Sequence, residues 1–239
     1  MYSNHLRLKS CEGEFLSTNS EIVTIFFLSF LVGLSGAASP GPLIVLNIRE
    51  SIRHGFIAGP YIATGHSLLE LVMVILLSVG MEKLLTMPGI PAVIAFLGGI
   101  FLIYMSYGII KHPDQGSPFP RNEHKDSLNQ PLTKQPIISG ALVTLGNPFW
   151  FVWWLTIGVT MLTRSSIIGT LGSIAFYLGH IFADYSWLSF ISFVISSGRR
   201  FLNNKVYSSI MISCAIFLGI IGLYFVVSGS SQLITTWRA

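Results

Sequence analysis

Charge is what this sequence has least of. Only 10% of its 239 residues are Asp, Glu, Lys or Arg and 51% are hydrophobic, whereas a soluble domain carries about 25% charged residues. A soluble globule of this length would have almost nothing polar to present to water, and the mean hydropathy of +0.67 agrees. Cysteine is nearly absent: Cys11 sits in a polar segment and Cys214 inside an apolar one, so neither a disulfide framework nor a Cys-x-x-Cys metal site can be built. There is no GxxxxGK[ST], no HExxH and no GxSxG, which argues against an ATP-driven pump from this chain and against an enzyme of the common hydrolase types. No cofactor and no dedicated metal centre are expected. The first 20 residues carry Glu12 and Glu14 and no apolar core, so they do not read as a cleavable signal peptide. The formal charge of +4 is scattered over short segments between apolar runs, where it reads as a topology signal and not as a nucleic-acid surface.

Long apolar runs are what the chain has instead. Six emerge, approximately Ile22 to Ile48, Gly55 to Gly80, Pro91 to Ile110, Ile137 to Leu162, Ser166 to Ser196 and Val206 to Ser228. Each is long enough to cross a bilayer as a helix, and none alternates as a barrel strand would. One long polar connection, from Lys111 to Pro136, carries four basic residues and five prolines. The expected organisation is a polar N-terminal tail (1–21), three helices (22–110), a linker (111–136) and three more helices (137–239). Nine of the 14 basic residues (Arg49, Arg53, Lys111, Arg121, Lys125, Lys134, Arg199, Arg200 and Lys205) follow runs one, three and five. Arg7, Lys9, Lys83, Arg164 and Arg238 fall on the other side. The positive-inside bias then puts the linker in the cytoplasm and both termini outside the cell membrane.

Three helices per half force the two halves to enter the membrane in opposite orientations, the inverted repeat of secondary transporters. Two unlike motifs recur in the same order. Run one is interrupted by Ser39-Pro40-Gly41-Pro42 and run four by Gly146-Asn147-Pro148, so the first helix of each half is expected to break at proline. The second helix of each half then carries Gly-His-x-x-x-acid, as Gly65-His66 through Glu70 and as Gly179-His180 through Asp184. Ten acids in 239 residues give a histidine roughly a 4% chance of an acid four places on, so six histidines should produce about a quarter of one match. There are two, both at the repeat positions. The fold expected is therefore an all-α membrane protein of six helices in two inverted three-helix repeats.

Glu70 and Asp184 are the acids inside the runs. A central acid costs about 2.5 to 3.5 kcal/mol on insertion scales, so neither should face lipid. The i, i+4 spacing sets His66 over Glu70 and His180 over Asp184 on one helix face, where imidazole and carboxyl can exchange a proton. The plainer reading of each pair is a helix-packing hydrogen bond, and a transition-metal site with imidazole and carboxylate ligands is a third. At the breaks, Pro40, Pro42 and Pro148 remove backbone donors, and the half-helix that follows offers amides and a positive dipole end to an anionic group. Gly41 allows close backbone approach, and Asn147 can either contact substrate or repair the break. Trp150, Trp153 and Trp154, about 24 to 26 Å along a straight helix from Ile137 for the last two, read as an interfacial aromatic belt. Gly98-Gly99 and Gly219-x-x-Gly222 read as close helix contacts.

The stretch Gly36-Ala37-Ala38-Ser39-Pro40-Gly41-Pro42, followed by Gly55, Gly59 and Gly65, resembles the LysE/RhtB family of amino-acid exporters. Gly140 to Trp154, GALVTLGNPFWFVWW, is similar to that family's fourth-helix segment. The resemblance covers all six runs. It implies six helices, export from the cytoplasm and coupling to a proton or cation gradient, with Pro40, Gly41, Pro42, Asn147 and Pro148 at the motif positions. The leading expectation is thus a secondary exporter of amino acids or similar zwitterions. Its partners are the small-molecule substrate, a proton or cation, and the lipid bilayer, and assembly with further copies of the chain is left open. A divalent-metal exporter, and an intramembrane hydrolase using His66, Glu70, His180 and Asp184 as a metal centre, are the alternatives.

Overall fold

The computed structural model describes residues 2–39, 41–80, 87, 89–113, 135–198 and 203–238, with side chains from 19 to 235. Pro40, Lys83, Arg199, Arg200 and most of the linker (114–134) lie outside the described residues. All regular structure in what is described is helical: α1 (Tyr2–Ala37), α2 (Pro42–His54), α3 (Ala58–Ser78), α4 (Ile90–Lys111), α5 (Gln135–Leu145), α6 (Pro148–Trp153), α7 (Val159–Ser166), α8 (Thr170–Ser197) and α9 (Asn204–Arg238). A 3-10 turn, Gly55–Ile57, joins α2 to α3, and a π-helical turn, Trp154–Gly158, joins α6 to α7.

Five helical segments are long and apolar enough to cross a membrane: Asn19–Ala37, Pro42–Ser78, Ile90–Lys111, Thr170–Ser197 and Asn204–Thr235. Gln135–Leu145 with Pro148–Ser166, bent by 65°, makes a sixth if counted as one span. The expected break in run four is therefore present. Run one differs from expectation. Its helix ends at Ala37 and α2 does not continue the same span; it leads through Gly55–Ile57 into α3. Pro42 is the first residue of α2, where its missing N–H and fixed φ suit a helix start. The 37 residues of Pro42–Ser78 would reach about 55 Å as a straight helix, nearly twice the hydrocarbon thickness. Gly55, at φ 73°, turns the chain between the two helices in a conformation that side chains disfavour.

The exposure pattern is that of a protein solvated by lipid. Phe27, Leu31, Leu68, Val72 and Tyr104 face outward, while Ser29, Asn47, His66, Glu70, Thr144, His180 and Asp184 are buried, because polar groups at this depth must find partners inside the protein. Helix α1 packs on α8, α5 on α3, α3 on α8, and α4 on α9. Glycines set the closest of these approaches. A Cβ at Gly99 would lie 2.7 Å from the Gly222 carbonyl oxygen, and one at Gly222 would lie 2.9 Å from that of Gly99, so the expected small-residue contact joins α4 and α9. A Cβ at Gly65 would strike the Ile137 carbonyl of α5, and one at Gly179 the Phe26 carbonyl of α1. The glycine before each motif histidine thus seats a neighbouring helix on the histidine's face.

Helix α2 is tied to α8 by a buried polar knot. Asn47 donates through Nδ2 to the Leu188 carbonyl at 2.8 Å, Ser192 donates to Asn47 Oδ1 at 2.8 Å, and Ser51 and Ser192 share a hydrogen bond at 2.7 Å. Each such bond contributes about 1 kcal/mol net, and together they hold the segment after the first break in place.

Candidate transport site

The two Gly-His-x-x-x-acid motifs lie on α3 and α8, which pack against each other, and all four side chains meet. Glu70 is at the centre. Its Oε1 lies 2.9 Å from His180 Nε2, 3.2 Å from His66 Nε2 and 3.3 Å from Trp154 Nε1, whose N–H donates to it. The two motifs are cross-linked: the acid of α3 makes its shortest contact with the histidine of α8. Asp184 is held more loosely, its oxygens 3.8 Å from His66 Nε2 and 3.7 Å from His180 Nε2. Both acids are buried, and Glu70 Oε2 and Asp184 Oδ2 have no hydrogen-bond partner among the described residues.

The proton arrangement follows from one residue that sequence reasoning passes over. Thr144 of α5 donates its hydroxyl proton to the Gly140 carbonyl at 2.7 Å, so the 2.8 Å contact between Thr144 Oγ1 and His66 Nδ1 requires His66 to donate. Nδ1 of His66 is therefore protonated. A neutral His66 then presents a bare Nε2 to Glu70 Oε1, and the 3.2 Å contact between two acceptors is favourable only if one further proton sits on that nitrogen or on the carboxyl. His180 is different: its Nδ1 has no partner among the described residues, so its Nε2 carries the proton that bonds Glu70. The His180 ring is stacked at 4.4 Å on Trp153, with Trp154 edge-on at 5.3 Å and Phe176 at 6.2 Å.

The tryptophans overturn the belt expectation. Trp150, Trp153 and Trp154 are 7%, 8% and 0% exposed and form the wall of the site. A belt position assumes a straight helix from Ile137, and the 65° bend at Gly146-Asn147 turns the cluster inward instead. The spacing Trp150, Trp153, Trp154 is i, i+3, i+4, a single helix face, which is the signal available in the sequence. The π-helical turn begins at Trp154, and such turns are frequent at functional sites.

Both breaks open onto a cavity of about 260 Å³ that also touches the four motif residues. Gly41, Pro42 and Asn147 line it together with His66, Glu70, His180 and Asp184. The breaks face each other: a Cβ at Gly41 would lie 3.9 Å from Asn147 Nδ2. Asn147 repairs its own break, its side-chain oxygen accepting from the Phe149 N–H at 3.1 Å as an N-cap, which leaves Nδ2 on the Gly41 side. The start of α2 has no side-chain cap among the described residues, and Leu43 and Ile44 at its first turn line the cavity. Pro148 is buried and stands outside the cavity wall, against Gly98 of α4. His66, Glu70 and Asp184 each bring one ligand atom within 4.8 Å of the others, a nitrogen and oxygen donor set that suits a divalent transition metal.

Comparison with known proteins agrees with this architecture. A Bacillus subtilis (strain 168) protein named "Putative amino acid efflux protein YcgF" is 23% identical over 210 residues, an alignment covering 87% of this chain and 98% of the relative. No solved structure matches the chain. Residues 34–229, which include both breaks, both motifs and the tryptophan wall, match the family of LysE type translocators. Translocators move solutes without converting them, which removes the intramembrane hydrolase reading. The match covers most of the chain, and the protein belongs to the LysE type translocator family.

Proposed function

We propose that the protein exports amino acids or closely similar zwitterions from the cytoplasm across the cell membrane, driven by antiport of a proton or cation. The observation that carries this reading is the convergence of both helix breaks and all four titratable motif residues on one cavity. The amides opening α2 meet the substrate carboxylate, and Asp184 meets the ammonium group or the driving proton in turn. Four titratable groups in one buried cluster hold a number of protons that varies with substrate, which is what antiport requires. The relative's name, an amino acid efflux protein, supports the substrate class.

The halves act as two inverted repeats, 22–110 and 137–239, joined by a cytoplasmic linker. The packing is consistent with this exchange of roles: α1 seats on α8 as α5 seats on α3, and the glycine before each histidine makes the contact. Both termini lie outside the cell. A single cysteine at Asn122 is then unreactive to an impermeant reagent added to intact cells, and ready labelling contradicts the topology. Function is tested by loading proteoliposomes with amino acids and imposing a pH or cation gradient. Gradient-dependent efflux is the expected result, and no movement of any amino acid would overturn the proposal.

The donor set at His66, Glu70 and Asp184 favours one second reading, a divalent metal ion as cargo. The largely aromatic and aliphatic remainder of the cavity wall suits an organic solute better. Efflux of manganese or zinc from metal-loaded proteoliposomes, with amino acids immobile, would decide for the metal.

A further inference from the structure

The cavity has two unlike walls, and the difference between them specifies the substrate more closely than the family does. One wall carries the four motif residues and the tryptophans. The indole nitrogens of Trp150 and Trp153 are buried and have no hydrogen-bond partner among the described residues, although both residues line the cavity and are over nine-tenths buried. An indole N–H only donates, and a buried donor left unpaired costs about 1–3 kcal/mol. Two such donors beside a cavity call for a ligand with acceptors. Asp184 Oδ2, on the same wall, is an unpaired acceptor and calls for a donor.

The opposite wall, from α4 and α9, is aliphatic and aromatic: Leu102, Phe217, Leu218 and Ile221. Among the described residues no Lys or Arg lines the cavity, and its two acids already face two histidines. A cationic side chain would find no spare anion there, an anionic one no spare cation, and a hydroxyl no partner on the α4–α9 wall. At about 260 Å³ the space lies near the lower end of small-molecule sites, room for one amino acid.

We propose that this site selects zwitterionic amino acids with a large, uncharged, apolar side chain. The carboxylate accepts from the indole N–H groups of Trp150 and Trp153, the ammonium donates to Asp184, and the side chain packs on Leu102, Leu218 and Ile221. This inference rests on the exporter reading and narrows it. Trp150 is then a specificity-determining residue, acting on a group that every amino acid has, whereas Ile221 acts on the side chain alone.

The test is efflux from proteoliposomes containing the full chain, with leucine, methionine, phenylalanine, threonine, lysine and glutamate compared singly. Isoamylamine serves as leucine without its carboxylate. Leucine, methionine and phenylalanine should exceed the other three by at least about tenfold in kcat/KM. Trp150→Phe, which keeps an aromatic ring and removes the donor, should raise the KM for leucine about tenfold and leave inhibition by isoamylamine unchanged. Ile221→Ala should lower kcat/KM for leucine about tenfold without changing that for the smaller substrates. Preferred efflux of lysine, glutamate or threonine overturns this inference and leaves the exporter reading intact. Equal losses for leucine and isoamylamine in Trp150→Phe show a structural role only and overturn the carboxylate assignment. If no amino acid moves at all, the exporter reading fails and this inference with it.

Discussion

The motifs on α3 and α8 have the same spelling and unequal surroundings. Glu70 of α3 gathers three nitrogens within 3.3 Å, from His180, His66 and Trp154. Asp184 of α8, equally buried, has nothing nearer among the histidines than the 3.7 and 3.8 Å contacts. The histidines differ in the opposite sense of freedom: His66 is pinned through Nδ1 to Thr144, while His180 is held by ring stacking and keeps a bare Nδ1. One carboxyl is thus built into the protein and the other is available. Two similar pairs of imidazole and carboxyl are set apart by their packing. In the proposed mechanism Glu70 fixes the geometry, and Asp184 trades partners.

The largest effect that would break this comparison is expected from Glu70→Gln. Three groups that point at Oε1 would meet a side chain with half its acceptors gone, and removing one partner from a buried charged cluster costs about 3 kcal/mol. Transport should vanish and the Tm in detergent should fall, read by a thermal-shift assay; unchanged Tm would show that Glu70 is not the anchor. Asp184→Asn comes next. It should abolish accumulation against a gradient and flatten the dependence of transport on pH, while stability changes by less than about 1 kcal/mol. Equal destabilisation of the two variants would erase the distinction between the acids. Thr144→Val sharpens it further: His66 loses its acceptor at a cost of about 1 kcal/mol, and the pH profile of transport should shift without flattening. The smallest change is Trp154→Phe, which removes the longest of the three contacts to Glu70 and should lower kcat by a few-fold with KM unchanged.

The acids, the histidines and the breaks are legible in the sequence because each carries a spacing or a repeat that chance does not supply. What bending controls is not. A straight helix from Ile137 carries the tryptophans to the interface, and the break at Asn147 makes that ruler false. Likewise the apolar run suggests one helix through Ile48, although α2 starts afresh at Pro42 and is bound to α8 through Asn47, Ser51 and Ser192. No periodicity announces such a knot, since its members lie on different helices and are small polar residues common elsewhere. Thr144 is illegible for the same reason: its role depends on α5 packing against α3, which Gly65 and Gly140 permit by their lack of a Cβ.

Proton counting tests the central claim most directly. Proteoliposomes containing a pH-sensitive dye and a transported amino acid should show proton movement opposite to substrate in the wild-type chain, with a fixed ratio across substrate gradients. Asp184→Asn should move the same substrate downhill with no accompanying proton. If Asp184→Asn still drives substrate uphill with the wild-type proton ratio, the four-residue cluster is a packing device and the coupling lies elsewhere in the molecule.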